Sequence, residues 1–283
     1  MREINAERIE ELVAKLCVEA NLKLPCSLCE TIKNFAENEE EGLPREIMGD
    51  LCNNLKIAEE DGIPICQDTG MAVVFVELGQ EVHITGGLLS DAINRGVAKG
   101  YEEGFLRKSI VADPLNPEKR INTENNTPAI IHLTLVSGDQ IKISVCPKGF
   151  GSENMSKLRM FTPAATRDDI IAFVLDVVKT AGSNPCPPMV VGVGIGGDFE
   201  HCAYLSKKAL CRDVAIKNAD TYYANLEQDL LKEINKLQIG PQGFGGKTTA
   251  LAVNVEFAPT HIAGLPVAVN IGCHVTRHAE GIL

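Results

Sequence analysis

Pro64-Ile65-Cys66-Gln67-Asp68-Thr69-Gly70 runs straight into the apolar stretch Met71 to Leu78. A thiol, an amide and a carboxylate stand in a row where a turn enters a strand. A buried free thiol behaves as a small hydrophobe and normally sits among apolar neighbours. Cys66 instead has polar neighbours on its C-terminal side, and Thr69-Gly70 supply a tight bend. That placement suits chemistry better than packing.

Outward from this turn, periodicity sets the elements. Upstream, Ile4, Ile9, Leu12, Val13, Leu16 and Cys17 recur at helical spacing over residues 2–20. A Glu-rich loop at 37–41 and Gly42-Leu43-Pro44 precede a second helical pattern over 45–60. Cys26-Ser27-Leu28-Cys29 lies between the first two helices. A redox pair or half a zinc site would explain it, but no second pair is near, so packing or incidental cysteines are the simpler reading.

Downstream, strand 71–78 is followed by a helix over 90–104, closed by Gly104, and by a proline-bearing loop over 110–128. Alternation in Ile130 to Val136 and in Gln140 to Val145, around Ser137-Gly138-Asp139, predicts a hairpin. Then come a helix from Thr166 to Thr180, a strand from Met189 to Ile195, and helices over 199–212 and 217–237. Strands over 250–257 and 265–271 follow, the second delivering Cys273-His274. The expected fold is mixed α/β, with β-sheets flanked by helices.

Length and charge narrow the functions. At 283 residues the chain makes one large domain or two small ones. A hydrophobic fraction of 45% with 23% charged residues marks a globular chain. The net charge of -11 argues against binding nucleic acid or anionic membranes without specificity. An anionic substrate therefore needs a local cluster of basic groups. No apolar run reaches the roughly 18–20 residues that span a bilayer. The N-terminus, Met1-Arg2-Glu3-Ile4, is charged and lacks an apolar signal core, so a cytoplasmic setting is expected. Ten cysteines in such a setting are reduced thiols, which favours metal or catalytic use over disulfides.

Two glycine motifs invite a nucleotide reading. Gly192-Val193-Gly194-Ile195-Gly196-Gly197 fits G-x-G-x-x-G between a strand and a helix, but no following strand with a terminal acid is expected. Gly240 to Thr249 resembles a phosphate loop, yet Pro241 stands where that motif needs glycine. The better reading is that both loops offer N–H groups, with Lys247, to a smaller anion.

The cysteines divide by context. Cys17, Cys52, Cys202 and Cys211 fall in helical patterns and read as packing; Cys146 ends a strand beside Pro147. Cys66, Cys186 and Cys273 each occupy a loop at an element boundary, and Pro185 and Pro187-Pro188 stiffen the chain around Cys186. Three convergent thiolates suit zinc or an iron–sulfur cluster.

Ile65 to Gly70, Lys148-Gly-Phe-Gly-Ser-Glu-Asn154, Asn184-Pro-Cys-Pro-Pro188, Val191 to Gly197 and Cys273-His274 occur together and in this order. The combination resembles the alpha subunit, or N-terminal domain, of class I iron–sulfur fumarases and L-tartrate dehydratases, over residues 4–283. The resemblance implies a [4Fe-4S] cluster held by Cys66, Cys186 and Cys273, with one iron left open as a Lewis acid. It implies reversible addition of water to a C=C bond beside carboxylates, as in fumarate to L-malate.

Carried over by position, Gln67 and Asp68 would hydrogen-bond the substrate hydroxyl and Arg107 would clamp a carboxylate of a small dicarboxylate. Gly149 would offer its N–H, and His261 would sit near the substrate. Lys247 is added on the strength of its glycine loop alone. The plain alternatives are an exposed surface charge at Arg107 and a hydrogen-bonded core histidine at His261. The base that removes the carbon-bound proton is expected on a second, swivelling domain, carried by a separate beta subunit. Residues 1–283 are then the cluster-bearing catalytic subunit, pairing as a homodimer or in an α2β2 assembly, sensitive to oxygen and poorly active alone. Departures in substrate or class would be an L-tartrate dehydratase alpha subunit, or a non-catalytic zinc- or cluster-stabilised binding protein.

Overall fold

The first residues do not join the first helix. In the computed structural model, which describes residues 1–283, Arg2–Asn5 form strand β1. The Asn5 side chain then caps helix α1 (Ala6–Leu22) by accepting from the Glu7 N–H. Ile4 is therefore a strand residue, correcting the helix expected from residue 2. Helix α2 (Cys26–Asn38) follows, so Cys26 and Cys29 lie in its first turn and not in a connection between helices.

Helix α3 (Leu43–Asp61), strand β2 (Met71–Gly79), strand β3 (Val82–Thr85) and helix α4 (Leu89–Glu103) come next. Strands β4 (Ile130–Val136) and β5 (Ile141–Lys148) lead through the short helix α5 (Phe150–Glu153) to strand β6 (Lys157–Phe161). Helix α6 (Arg167–Ala181) opens on a capping box between Thr166 and Asp169. Strand β7 (Met189–Gly197), helix α7 (Phe199–Ala209), helix α8 (Thr221–Asn235), strand β8 (Ala250–Thr260), strand β9 (Leu265–Gly272) and strand β10 (Ala279–Ile282) complete the order. No helix is long and apolar enough to cross a membrane.

The chain divides into two compact units. The first comprises Met1–Leu24, Ile57–Phe150 and Arg277–Leu283; the second comprises Pro25–Lys56 and Gly151–Thr276.

In the first unit the four-stranded sheet runs β10-β5-β2-β4. The expected hairpin is not formed, because β2 lies between β4 and β5, parallel to β4 and antiparallel to β5. Burial decides this order. Ala72 to Val76 on β2 are all buried, whereas Leu133 and Leu135 on β4 are exposed, so β2 takes the middle and β4 the edge. The 137–140 link instead crosses the end of β2, where the Gly79 N–H donates to the Gln140 carbonyl at 2.8 Å. Helices α1 and α4 bury Ile9, Val13, Ile93 and Val97 with Val74, Ile143 and Val145 in one apolar core.

The second unit's sheet runs β6-β9-β7-β8. Val174, Val177, Leu230 and Ile234 of α6 and α8 join Met189, Val191 and Val193 of β7 in its core. The alternate β7 residues face the other way, towards α7. There a Cβ at Gly192 or Gly194 would overlap the Ser206 or Cys202 carbonyl. The G-x-G-x-x-G glycines thus let a helix lie on a strand, and the close approach consumes the space a dinucleotide would need.

Candidate active site

In the first unit, the 66–70 turn is pinned from several sides. The Ile65 N–H donates to the Asn21 carbonyl at 3.0 Å, so the chain enters the turn from a fixed point on α1. The Asp68 carboxylate accepts from Gly70 N–H through Oδ1 and from Phe150 N–H through Oδ2, both at 3.0 Å. Gly70 has a φ of +78, and a Cβ there would lie 2.8 Å from the Lys148 backbone, so only glycine closes this bend. The fully buried Tyr101 hydroxyl donates to the Thr69 and Gly70 carbonyls at 2.8 and 3.0 Å. Burial pushes the Tyr101 phenol up, so it stays a donor. Asn126, also fully buried, donates to the Gly70 carbonyl at 3.2 Å.

These contacts bring together residues far apart in sequence. The Thr69 hydroxyl donates to the Arg107 carbonyl at 3.0 Å, which places Arg107 beside the turn with an exposed guanidinium. Gly149 adjoins Asp68, since a Cβ at Gly149 would lie 3.1 Å from Oδ2. Cys66 is half-buried and Gln67 exposed at the same turn. The first unit therefore gathers Cys66, Gln67, Asp68, Arg107 and Gly149 in one place.

The second unit gathers the other two cysteines. Cys186 is exposed on a left-handed backbone, φ +54. Its carbonyl lies 2.9 Å from His274 Nδ1, so that nitrogen carries the proton and donates it. His274 directly follows Cys273, which is half-buried at the end of β9. Gln242 closes the arrangement, donating to the Pro187 carbonyl from its backbone N–H at 2.8 Å and from Nε2 at 2.9 Å. Gln242 has no signature in the sequence beyond its glycine-rich surroundings.

Two expectations change. The glycine loop ending at Thr249 does hold an anion, but it is the chain's own Glu39. Its carboxylate accepts from the Lys247 and Thr248 N–H groups at 2.7 and 2.8 Å, and Glu39 is 1% exposed. Burial alone would raise the Glu39 pKa, yet hydrogen bonds from Thr248, Glu40 and Lys247 outweigh it and hold the carboxyl below its ordinary range. Lys247 keeps only an exposed ammonium to offer a ligand.

His261 is neither a core histidine nor a neighbour of the cysteines in this unit. It is exposed just beyond β8, where Nδ1 accepts from the Ala263 N–H at 3.2 Å. Strand β8 begins against Met189, near Cys186, and ends against Gly197. Its 11 residues thus put roughly 30 Å of strand between His261 and the Cys186 end of the sheet.

The cysteines separate by burial as well as by place. Burial pushes the Cys17 thiol up to about 12 and that of Cys202 to about 11, so both remain protonated packing groups. Cys146 is buried too. Cys66, Cys186 and Cys273 stand outside both apolar cores at loop positions, none of them in a disulfide. As a donor set, three such soft ligands fit an iron–sulfur cluster. No group of three or more His, Cys, Asp and Glu side chains stands assembled as a metal site; Cys66 belongs to one unit, Cys186 and Cys273 to the other.

Comparison with known proteins adds the class. The model of the fumarate hydratase (Fumerase) family matches residues 10–282. A protein of Methanocaldococcus jannaschii, provisionally named L(+)-tartrate dehydratase subunit alpha, is 39% identical over 275 residues, covering 96% of each chain. The L(+)-tartrate dehydratase subunit alpha of Escherichia coli K12 is 29% identical over 272 residues, covering 95% of this chain and 89% of its own. The protein of the same name from Shigella sonnei matches to the same extent. The chain belongs to the fumarate hydratase family, whose chemistry is that of hydro-lyases.

Proposed function

We propose that this chain is the cluster-bearing alpha subunit of a [4Fe-4S] hydro-lyase that reversibly hydrates fumarate to L-malate, working with a beta subunit that carries the second domain. The observation that carries this reading is the partition of the cysteines. In a chain of this family, Cys66, Cys186 and Cys273 stand at loop positions outside both apolar cores, while Cys17, Cys146 and Cys202 are buried. Those three thiolates would hold the cluster. When bound, it supplies a Lewis-acidic iron with an open position, which makes hydroxide a better leaving group.

The chain's own residues then supply orientation. The Asp68 carboxylate cannot swing away, because Gly70 and Phe150 each hold one oxygen; its remaining lone pairs accept the substrate hydroxyl proton. The exposed Gln67 amide lies beside it to fix the same hydroxyl. Arg107 presents a fork-shaped guanidinium to one substrate carboxylate, a bidentate geometry that sets the molecule's direction. Gly149, with no side chain beside Asp68, leaves room for the substrate to approach the backbone. Lys247 offers a second, exposed cation. His261 is exposed just beyond β8, its ring open to a substrate, which is the role the family resemblance implies for it. The base for the carbon-bound proton is assigned to the beta subunit.

A second reading is L(+)-tartrate dehydration, favoured by the names of the relatives, including the one 39% identical. Anaerobic purification of the chain with its partner, followed by assay on fumarate, L-malate and L-tartrate, decides between the two. The expected result is a brown protein with about four irons per chain and turnover that is lost in air and restored by iron and reductant. A colourless zinc protein with no turnover of any of the three acids would overturn the proposal.

A further inference from the structure

Arg277 stands just before β10 and is 5% exposed. Its one hydrogen bond runs from Nη2 to the Asp68 carbonyl, within the cysteine-bearing turn of the first unit. Its Nε is buried with no partner, and no carboxylate forms an ion pair with it. A buried guanidinium without a counter-ion is costly, and such groups persist where something negative joins them.

The surroundings narrow what that is. The Asp68 carboxylate, held by the Gly70 and Phe150 N–H groups, makes no ion pair with Arg277, which meets only the Asp68 backbone carbonyl. Tyr101, which feels both Arg277 and Asp68, stays a neutral phenol. What remains beside the Asp68 peptide is Cys66, two residues upstream, whose thiolate brings negative charge when it binds metal.

We infer that Arg277 is a positioning residue that pegs the Cys66–Asp68 turn and supplies the fixed positive charge for a thiolate-ligated iron–sulfur cluster held there. The charge part of this inference rests on the cluster reading above; the pegging part does not. Its signal in the sequence, an arginine four residues after Cys273, is unremarkable without the fold.

The test uses Arg277→Gln and Arg277→Lys in the full chain. In the metal-free protein, hydrogen exchange at the amides of 67–70 should quicken about tenfold in Arg277→Gln, with the β5 amides unchanged. Wild-type exchange there would overturn the pegging. In the anaerobically loaded protein, redox titration followed by electron paramagnetic resonance should show a more negative cluster potential for Arg277→Gln, because an added electron loses a nearby positive charge. Arg277→Lys should restore the wild-type potential. An unchanged potential in Arg277→Gln would overturn the charge assignment, because a purely structural peg would not move it. If Arg277→Gln does not fold, Arg277→citrulline keeps the shape and drops the charge, and the same two readings apply. A wild-type chain that takes up no cluster would sink the function proposed above, leaving the exchange measurement to decide the pegging.

Discussion

The two cysteine-bearing regions are held in different ways. In the first unit the turn is held by groups rooted in the core: Tyr101 and Asn126 are fully buried and reach up to the Thr69 and Gly70 carbonyls. In the second unit the loops of Cys186 and Cys273 are tied by part-buried polar groups, Gln242 and His274. Both solutions satisfy backbone groups that leave regular structure. The core-rooted one couples the Cys66 turn to global stability, while the other leaves Cys186 and Cys273 open to local loosening.

Four experiments sharpen that contrast. The largest effect is expected from the ligand thiols themselves. Cys66→Ser, Cys186→Ser or Cys273→Ser should each abolish cluster uptake and hydratase activity, by about a thousandfold or more, whereas Cys26→Ser and Cys29→Ser should keep both. Iron content and visible spectra read the result directly.

Tyr101→Phe leaves the Thr69 carbonyl buried and unpaired, and should cost about 2 kcal/mol in global denaturant unfolding. A cost near zero would mean that the core does not carry this turn. Next comes Glu39, which supports the glycine loop beside Gln242. Its folded pKa lies below the ordinary value of 4.5, so its contribution is complete above that pH and fades as pH falls through the lowered folded value. Glu39→Gln should lose about 2 kcal/mol at neutral pH and show a flatter loss of stability on acidification than the wild type. The smallest effect is expected from Gln242→Ala, about 1 kcal/mol, appearing as faster hydrogen exchange around 186–189 and 272–275 before any change in the unfolding midpoint.

Much of this architecture is legible in the sequence. The helices α1, α4, α6, α7 and α8 and the strands β2, β7, β8 and β9 follow from period and capping residues, because those signals are local. The division of the cysteines is legible too: polar and proline neighbours at Cys66 and Cys186, against helical spacing at Cys17 and Cys202. The short strands β1, β3, β6 and β10 escape, since four or five residues carry too little pattern. The hairpin reading of 130–145 fails for a related reason. Alternation shows which residues face a core, but not which strand they pair with.

Sequence alone determined that three thiols and an adjacent amide–carboxylate pair stand at element boundaries, because polar and proline neighbours deny them a regular packed position; Arg107 was legible only through the family resemblance. Tertiary structure alone decided that β2 separates β4 from β5, that Glu39 fills the glycine loop, that His261 lies at the far end of its sheet from Cys186, and that Arg277 donates to the Asp68 carbonyl. These are partnerships between residues tens to hundreds of positions apart, settled by competition for burial and for hydrogen bonds across the whole chain.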